Sequence, residues 1–260
     1  MGMFSGKVVV VTGAASGFGE ATARRFAGEG ADVVVADVNS DRAKEVAASM
    51  VANGQSALAV GVDVRMSDEV ADMIAAAESA FGGIDVLVNN AGLIRGSGPI
   101  EEMAEEDFDL TMSVNVKGTF LGVKHGVPAL RRRGGGVILN TASVSALVPR
   151  RRSAIYAASK GAVVTMTRAL AVDLAPAIRV NCVCPVAAVT RFQEGVSTDP
   201  AEVSARLAKT RAAGASIPMK RIARVEDVAD AFIYLASPGA GFLTGVVLPV
   251  DGGRSAGDPS

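Results

Sequence analysis

The chain is poor in the residues that metal and disulfide chemistry need. Its 260 residues include one histidine, His125, two cysteines, Cys182 and Cys184, and no tryptophan. A Cys/His zinc site takes three or four ligands of these types, so one here would have to use every candidate, and no metal is expected. A Ser-His-Asp mechanism would have to run through His125, in a segment, Gly118 to Leu130, that reads as an ordinary helix. Cys182 and Cys184 stand two apart in Arg179-Val180-Asn181-Cys182-Val183-Cys184, so on a strand they face the same side. Small buried hydrophobes in a reducing cytosol fit them better than a disulfide does.

An excess of charge is missing too. Lys plus Arg total 26 and Asp plus Glu total 27, for a formal net charge of −1. That excludes the positive field of non-specific nucleic-acid binding. With 49% hydrophobic residues the chain is not disordered, and it can bury a full core. No stretch reaches the ~20 apolar residues that span a membrane. The start, Met1 to Lys7, has no cationic region followed by a long apolar one. A soluble cytoplasmic protein with no membrane or nucleic-acid partner is expected.

What is present is an alternation. Val8 to Val11, Val33 to Ala36 and Asp85 to Val88 are short β-branched or apolar runs, and helical patterns stand between them at Glu20 to Gly30, Ser40 to Asn53 and Ser67 to Phe81. A further strand is expected at Ser56 to Val62. The pattern continues with a helix through Val114 to Leu130, a strand at Gly136 to Asn140, a helix at Ile155 to Leu174 and a strand at Ile178 to Cys184. A helix at Val225 to Leu235 and a strand near Val246 to Val250 close it. Strands of continuous Val and Leu are buried on both faces, which is how parallel strands between helices read. Repeated βα units imply one open, doubly wound parallel sheet. The long insertion from Thr190 to Pro218, with a polar helix around Pro200 to Ala213, reads as a substrate lid within a single domain spanning 1–260.

The turn after the first strand is Thr12-Gly13-Ala14-Ala15-Ser16-Gly17-Phe18-Gly19. Three glycines between a buried strand and a helix let the backbone approach a pyrophosphate at the helix N-terminus. Asp37 ends the second strand, where a carboxylate can bind adenosine ribose hydroxyls. The competing reading of Asp37 is a solvated turn or a cap before Ser40 and Asp41. Tyr156-Ala157-Ala158-Ser159-Lys160 puts a phenol and an ammonium on one helical face, one turn apart. A free tyrosine has a pKa of about 10, and lowering it by about three units takes roughly 4 kcal/mol, which two nearby cations can supply in a desolvated cleft. The competing reading is an amphipathic helix with a solvated lysine.

Taken in order, these motifs resemble those of the short-chain dehydrogenase/reductase family, and the likeness runs from Lys7 to Gly253. Besides the Thr12 to Gly19 turn it includes Asp63-Val64, Asn89-Asn90-Ala91-Gly92, Leu243-Thr244-Gly245 and Val250-Asp251-Gly252-Gly253. The resemblance implies a Rossmann-type α/β fold, seven parallel strands in the order 3-2-1-4-5-6-7 with helices on both faces. It implies a catalytic tetrad of Asn115, Ser143, Tyr156 and Lys160. Ser143 would hydrogen-bond the substrate oxygen and Tyr156 would exchange a proton with it. Lys160 would hold the nicotinamide ribose, and Asn115 would anchor a water that passes the proton on. Gly13, Ser16, Gly17, Phe18, Gly19, Asp37 and Val38 would hold the dinucleotide. Asp63 and Val64 would lie against adenine, Asn90 and Gly92 against the adenine-side ribose, and Ala188 and Thr190 against the carboxamide. Homotetramers would pair the helices containing Asn115 to His125 and Tyr156 to Leu170.

Two positions depart from the family pattern. Pro185-Val186-Ala187-Ala188 replaces the common Pro-Gly, and Phe18 replaces an aliphatic residue. Arg150-Arg151-Arg152, between Ser143 and Tyr156, reads as a solvated loop in competition with recognition of an anionic substrate tail. Arg131 to Arg133 end a helix, where cations favour the dipole. Glu101 to Asp109 carry an acidic cluster that reads as solvated surface.

The expected activity is hydride transfer between NAD(H) and a secondary alcohol or ketone. The rival within the fold is an NADPH-dependent 3-oxoacyl-thioester reductase. It would prefer a basic residue where this chain has Ala15, Ser16, Asp37 and Val38. A non-catalytic dinucleotide-binding regulator would have favoured loss of Tyr156 or Lys160. An epimerase or dehydratase of the extended branch would space its glycines differently.

Overall fold

Valine sets the sheet. β1 (Val8–Thr12), β2 (Asp32–Asp37), β4 (Val86–Asn89) and β5 (Gly136–Thr141) are buried along most of their lengths. With β3 (Ser56–Gly61), β6 (Ile178–Pro185) and β7 (Val247–Val250) they form one sheet ordered β3-β2-β1-β4-β5-β6-β7. Every recorded pairing is parallel. The computed structural model describes residues 2–188, 204–205, 208, 210 and 212–257. The proposed lid at 190–218 therefore lies largely outside the described residues.

Side chains alternate across each strand, so one valine run feeds two cores. Val9, Val11, Val33, Val35 and Val88 pack with Phe26 of α1 (Gly17–Gly28), Met50 of α2 (Ser40–Ala52) and Phe232 of α7 (Val225–Ala236). Val10, Val34 and Leu87 face the other way, onto Met73 of α3 (Ser67–Phe81) and Leu121 and Leu130 of α5 (Gly118–Arg132). α6 (Ala154–Leu174) covers Cys182 and Cys184, which are free and buried beside Val163 and Val164.

One helical stretch differs from the sequence reading. The helix expected from Val114 begins nine residues earlier, as α4 (Glu105–Met112), and a π-helical segment, Ser113–Lys117, joins it to α5. Glu105, Glu106 and Asp107 form its first turn, where acids favour the helix dipole. Arg132 and Arg133 pair with Glu78 and Asp85.

The strand order reverses at β1, which lies between β2 and β4. Chain leaving their carboxyl ends must diverge there, opening a crevice.

Candidate active site

Beyond the carboxyl ends of β1, β4 and β5 lies a cleft of about 900 Å³. Gly13, Ser16, Gly17 and Phe18 line it from the β1–α1 turn, Asp37 and Val38 from the end of β2, Asp63 and Val64 from beyond β3, and Asn90 and Gly92 from beyond β4. Gly13 has φ +65°, and a Cβ on it would fall 2.8 Å from Ala91 Cα, so the turn needs glycine for both conformation and space. Gly19 stands just behind this wall; a Cβ there would fall 2.1 Å from the Gly13 carbonyl oxygen. Ser16 precedes α1 without a side-chain cap bond, so the first-turn N–H groups keep their capacity for an anion. Asn90 fixes the two loops together: its Nδ2 donates to the Thr12 and Gly13 carbonyls at 3.0 and 3.2 Å.

Asp37 is aimed by backbone. Ala15 N–H donates to Oδ2 at 3.0 Å and Asn39 N–H to Oδ1 at 2.9 Å, leaving each oxygen capacity on its cleft side. Two arginines stand nearby and both are engaged. Arg42 pairs with Glu45 at 2.7 Å and Glu20 at 3.7 Å, away from Asp37. Arg65, a cleft residue the sequence reading missed, is bound by Asp63 through Nε at 2.9 Å and Nη2 at 2.5 Å. That hydrogen bond holds the Asp63 carboxyl below the usual carboxylate range.

Ser143, Tyr156 and Lys160 meet at the other end of the cleft. β5 delivers Ser143, whose Oγ accepts from Ser145 N–H at 3.1 Å. α6 presents Tyr156 and Lys160 one turn apart, with Lys160 Nζ 6.0 Å from the phenol ring centre. Lys160 Nζ donates to the Thr141 carbonyl at 2.8 Å. Burial lowers the Lys160 pKa to about 8, and burial pushes the Tyr156 phenol up, with the Ser143 hydrogen bond working against it. The pair was expected to lower the phenol. Loss of water around the ring outweighs the Ser143 hydrogen bond and the Arg150 charge, which both work downward.

Asn115 does not line the cleft, and it acts from behind. Its Oδ1 accepts from Leu93 N–H at 2.8 Å, while Nδ2 donates to the Leu93 carbonyl at 2.9 Å and Ser159 Oγ at 3.0 Å. The π segment turns it toward these partners, and such segments recur at functional sites. Gly92 sits in the angle: a Cβ on it would lie 3.1 Å from Lys160 Nζ and 3.2 Å from Asn115 Oδ1.

Of the other expected contacts, Ala188 lines the cleft and Thr190 lies outside the described residues. Phe18 packs on the small cluster of Val144, Val186 and Ala188, so its extra bulk props the wall formed by Pro185 to Ala188. Leu93 to Ser97 line the cleft within the Leu93–Gly98 stretch expected to set specificity, whereas sequence reasoning missed Asp107, Leu110 and Val114. Asp107 and Leu110 come from α4, whose start had no strong apolar periodicity to announce it. Among the described residues no cluster of His, Cys, Asp and Glu could hold a metal ion, and no helix is long and apolar enough to cross a membrane.

A family model described as enoyl-(acyl carrier protein) reductase matches residues 13–255. An uncharacterized oxidoreductase of Thermotoga maritima is 40% identical over 97% of this chain and 99% of its own. The meso-2,3-butanediol dehydrogenase of Serratia marcescens is 40% identical over 98% of this chain and 97% of its own. Among solved structures, a 3-ketoacyl-(acyl-carrier-protein) reductase from Brucella melitensis complexed with NADH is 41% identical. It aligns with a TM-score of 0.87 over 97% of this chain and 99% of that one.

Proposed function

The chain belongs to the short-chain dehydrogenase/reductase family, and from that premise we propose that it interconverts a secondary alcohol and its ketone with NAD(H), through Ser143, Tyr156 and Lys160. It is an oxidoreductase of CH–OH donors using a nicotinamide dinucleotide. The observation that carries the finer reading is the meeting of Ser143, Tyr156 and Lys160 at one end of a cleft whose other end holds Asp37.

The cleft fits the dinucleotide on this chain's own geometry: the side-chain-free cradle at Gly13 and the uncapped start of α1 suit a pyrophosphate, and Asp37 suits ribose hydroxyls. When bound, the nicotinamide supplies or accepts the hydride. Ser143 Oγ donates a hydrogen bond to the substrate oxygen. Tyr156, kept neutral by burial, is a proton donor to that oxygen in reduction and receives the proton back in oxidation. Lys160, fixed by the Thr141 carbonyl, holds the ribose hydroxyls and favours the phenolate once Tyr156 has given up its proton. Asn115 locks the loop at Leu93 to α6 and keeps one lone pair of Oδ1 for a water that returns the proton to solvent. A homotetramer is the proposed assembly. A second reading, reduction of a 3-oxoacyl thioester, is supported by the likeness to the Brucella melitensis reductase.

Tyr156→Phe tests the mechanism. It is expected to bind NADH as the wild type does while kcat falls by at least about 100-fold, in the 10²–10⁴ range of general acid–base catalysis. Turnover within threefold of wild type removes Tyr156 from proton transfer.

A further inference from the structure

The arginine triplet between Ser143 and Tyr156 is split by the fold. All three are exposed, but only Arg150 lines the cleft, with Ser143, Ser153 and Tyr156. The loop that carries it is pinned. Ser153 Oγ donates to the Arg150 carbonyl at 2.8 Å, and Ser97 Oγ donates to the carbonyl of Arg152, which has φ +61°.

Arg42, Arg65, Arg132 and Arg221 each meet a carboxylate, whereas Arg95, also on the cleft wall, forms no ion pair among the described residues. Among the described residues Arg150 has no such partner. Asp107, the carboxylate nearest in kind on the cleft wall, forms no ion pair with it. Burial lowers the Arg150 pKa, the like charge of Arg254 adds to that, and Tyr156 works against it. Among the described residues Arg254 forms no ion pair, and Asp251 turns its two oxygens to Gly253 N–H at 2.9 Å and Ser255 N–H at 2.8 Å. A guanidinium on the cleft wall beside Tyr156, with no carboxylate partner, lacks a counter-charge that a ligand would bring. The dinucleotide phosphates have their own cradle at Gly13 to Gly17 after β1, whereas Arg150 lies in the loop after β5, two strands along the sheet.

We propose that the substrate carries an oxyanion, a carboxylate or a phosphate, which Arg150 receives beside Tyr156. This rests on the oxidoreductase reading above. It makes Arg150 the residue that selects anionic alcohols and ketones over neutral ones of the same shape.

The test titrates the NADH-loaded protein, followed by nicotinamide fluorescence, with cyclohexanecarboxylate, cyclohexyl phosphate and cyclohexanecarboxamide. At least one oxyanion is expected to bind at least about tenfold tighter than the neutral amide, the scale of a charge-assisted bidentate contact. The stronger of the two identifies which oxyanion the site takes. Arg150→Gln should bring that advantage to within about twofold while NADH affinity stays unchanged, and Arg150→Lys should retain part of it. Equal affinity for the three ligands, binding of none, or a preference that survives Arg150→Gln overturns the proposal. Failure of NADH to bind overturns the oxidoreductase reading and this inference with it.

Discussion

The proposed cofactor choice turns on one carboxylate. Asp37 is held by the Ala15 and Asn39 amides, so it cannot swing away from the cleft without losing both. In NADP(H) the 2′-hydroxyl is a phosphate carrying close to two negative charges. Arg42 was the cation able to offset it, and Glu45 and Glu20 hold it on α2. Arg65 is already neutralised by Asp63. Like charges in a shared cleft cost several kcal/mol, and each ~1.4 kcal/mol is tenfold in affinity. Wild type is therefore expected to show at least about tenfold higher kcat/KM with NAD(H) than with NADP(H), and Asp37→Ala to narrow the gap. Steady-state assays on one substrate check this. Parity between the cofactors in the wild type would mean that an arginine leaves its acid to meet the phosphate.

Elements bring these residues together, and one tight joint is α5 against β4. A Cβ on Gly122 would fall 2.1 Å from Asn89 Oδ1 and 3.0 Å from its Cγ. Asn89 cannot step aside freely, because it is buried and donates to Asn140 at 2.9 Å, which in turn donates to Thr167 at 2.9 Å. Gly122→Ala would gain up to about 1 kcal/mol of helix propensity. Overpacking and a broken buried hydrogen bond cost about 1–3 kcal/mol and should win. A lower urea midpoint at unchanged m-value is expected; a higher one would show that Asn89 repacks. The same elements show what a sequence discloses. The strands were legible because runs such as Val8 to Val11 have no polar alternation, and Tyr156 with Lys160 because helical spacing dictates a shared face. The π segment at Asn115 was not legible, since one widened turn leaves the residue pattern of an ordinary helix. Nor was the selection of Arg150 from three adjacent arginines, which depends on how a loop after β5 is tied to Ser97 and Ser153.

At the scale of the whole molecule, the surface left by the fold points to further copies of the chain. The small residues Ala157, Ala158, Gly161 and Ala162 of α6 had two readings, packing on the sheet or packing on another chain. Gly161 separates them: a Cβ built on it meets nothing within 4 Å, so the molecule's own packing does not require glycine there. Farther along the helix Val172 is 81% exposed, and on α5 Phe120 is 50% exposed. Apolar side chains beside an open small-residue face, on the two helices that also carry Lys160 and adjoin Asn115, favour helix-to-helix pairing between subunits. Such pairing would brace the segments that aim the site, and assembly and activity would then be lost together. Light scattering at micromolar concentration is expected to give four times the 26.4 kDa chain mass. Gly161→Arg, which places a long cation where intramolecular space is open, should lower that mass while the folded chain persists, with kcat falling as the oligomer dissociates. A monomeric wild type, or a Gly161→Arg variant that stays tetrameric and fully active, would leave the α5 and α6 faces without a role in assembly.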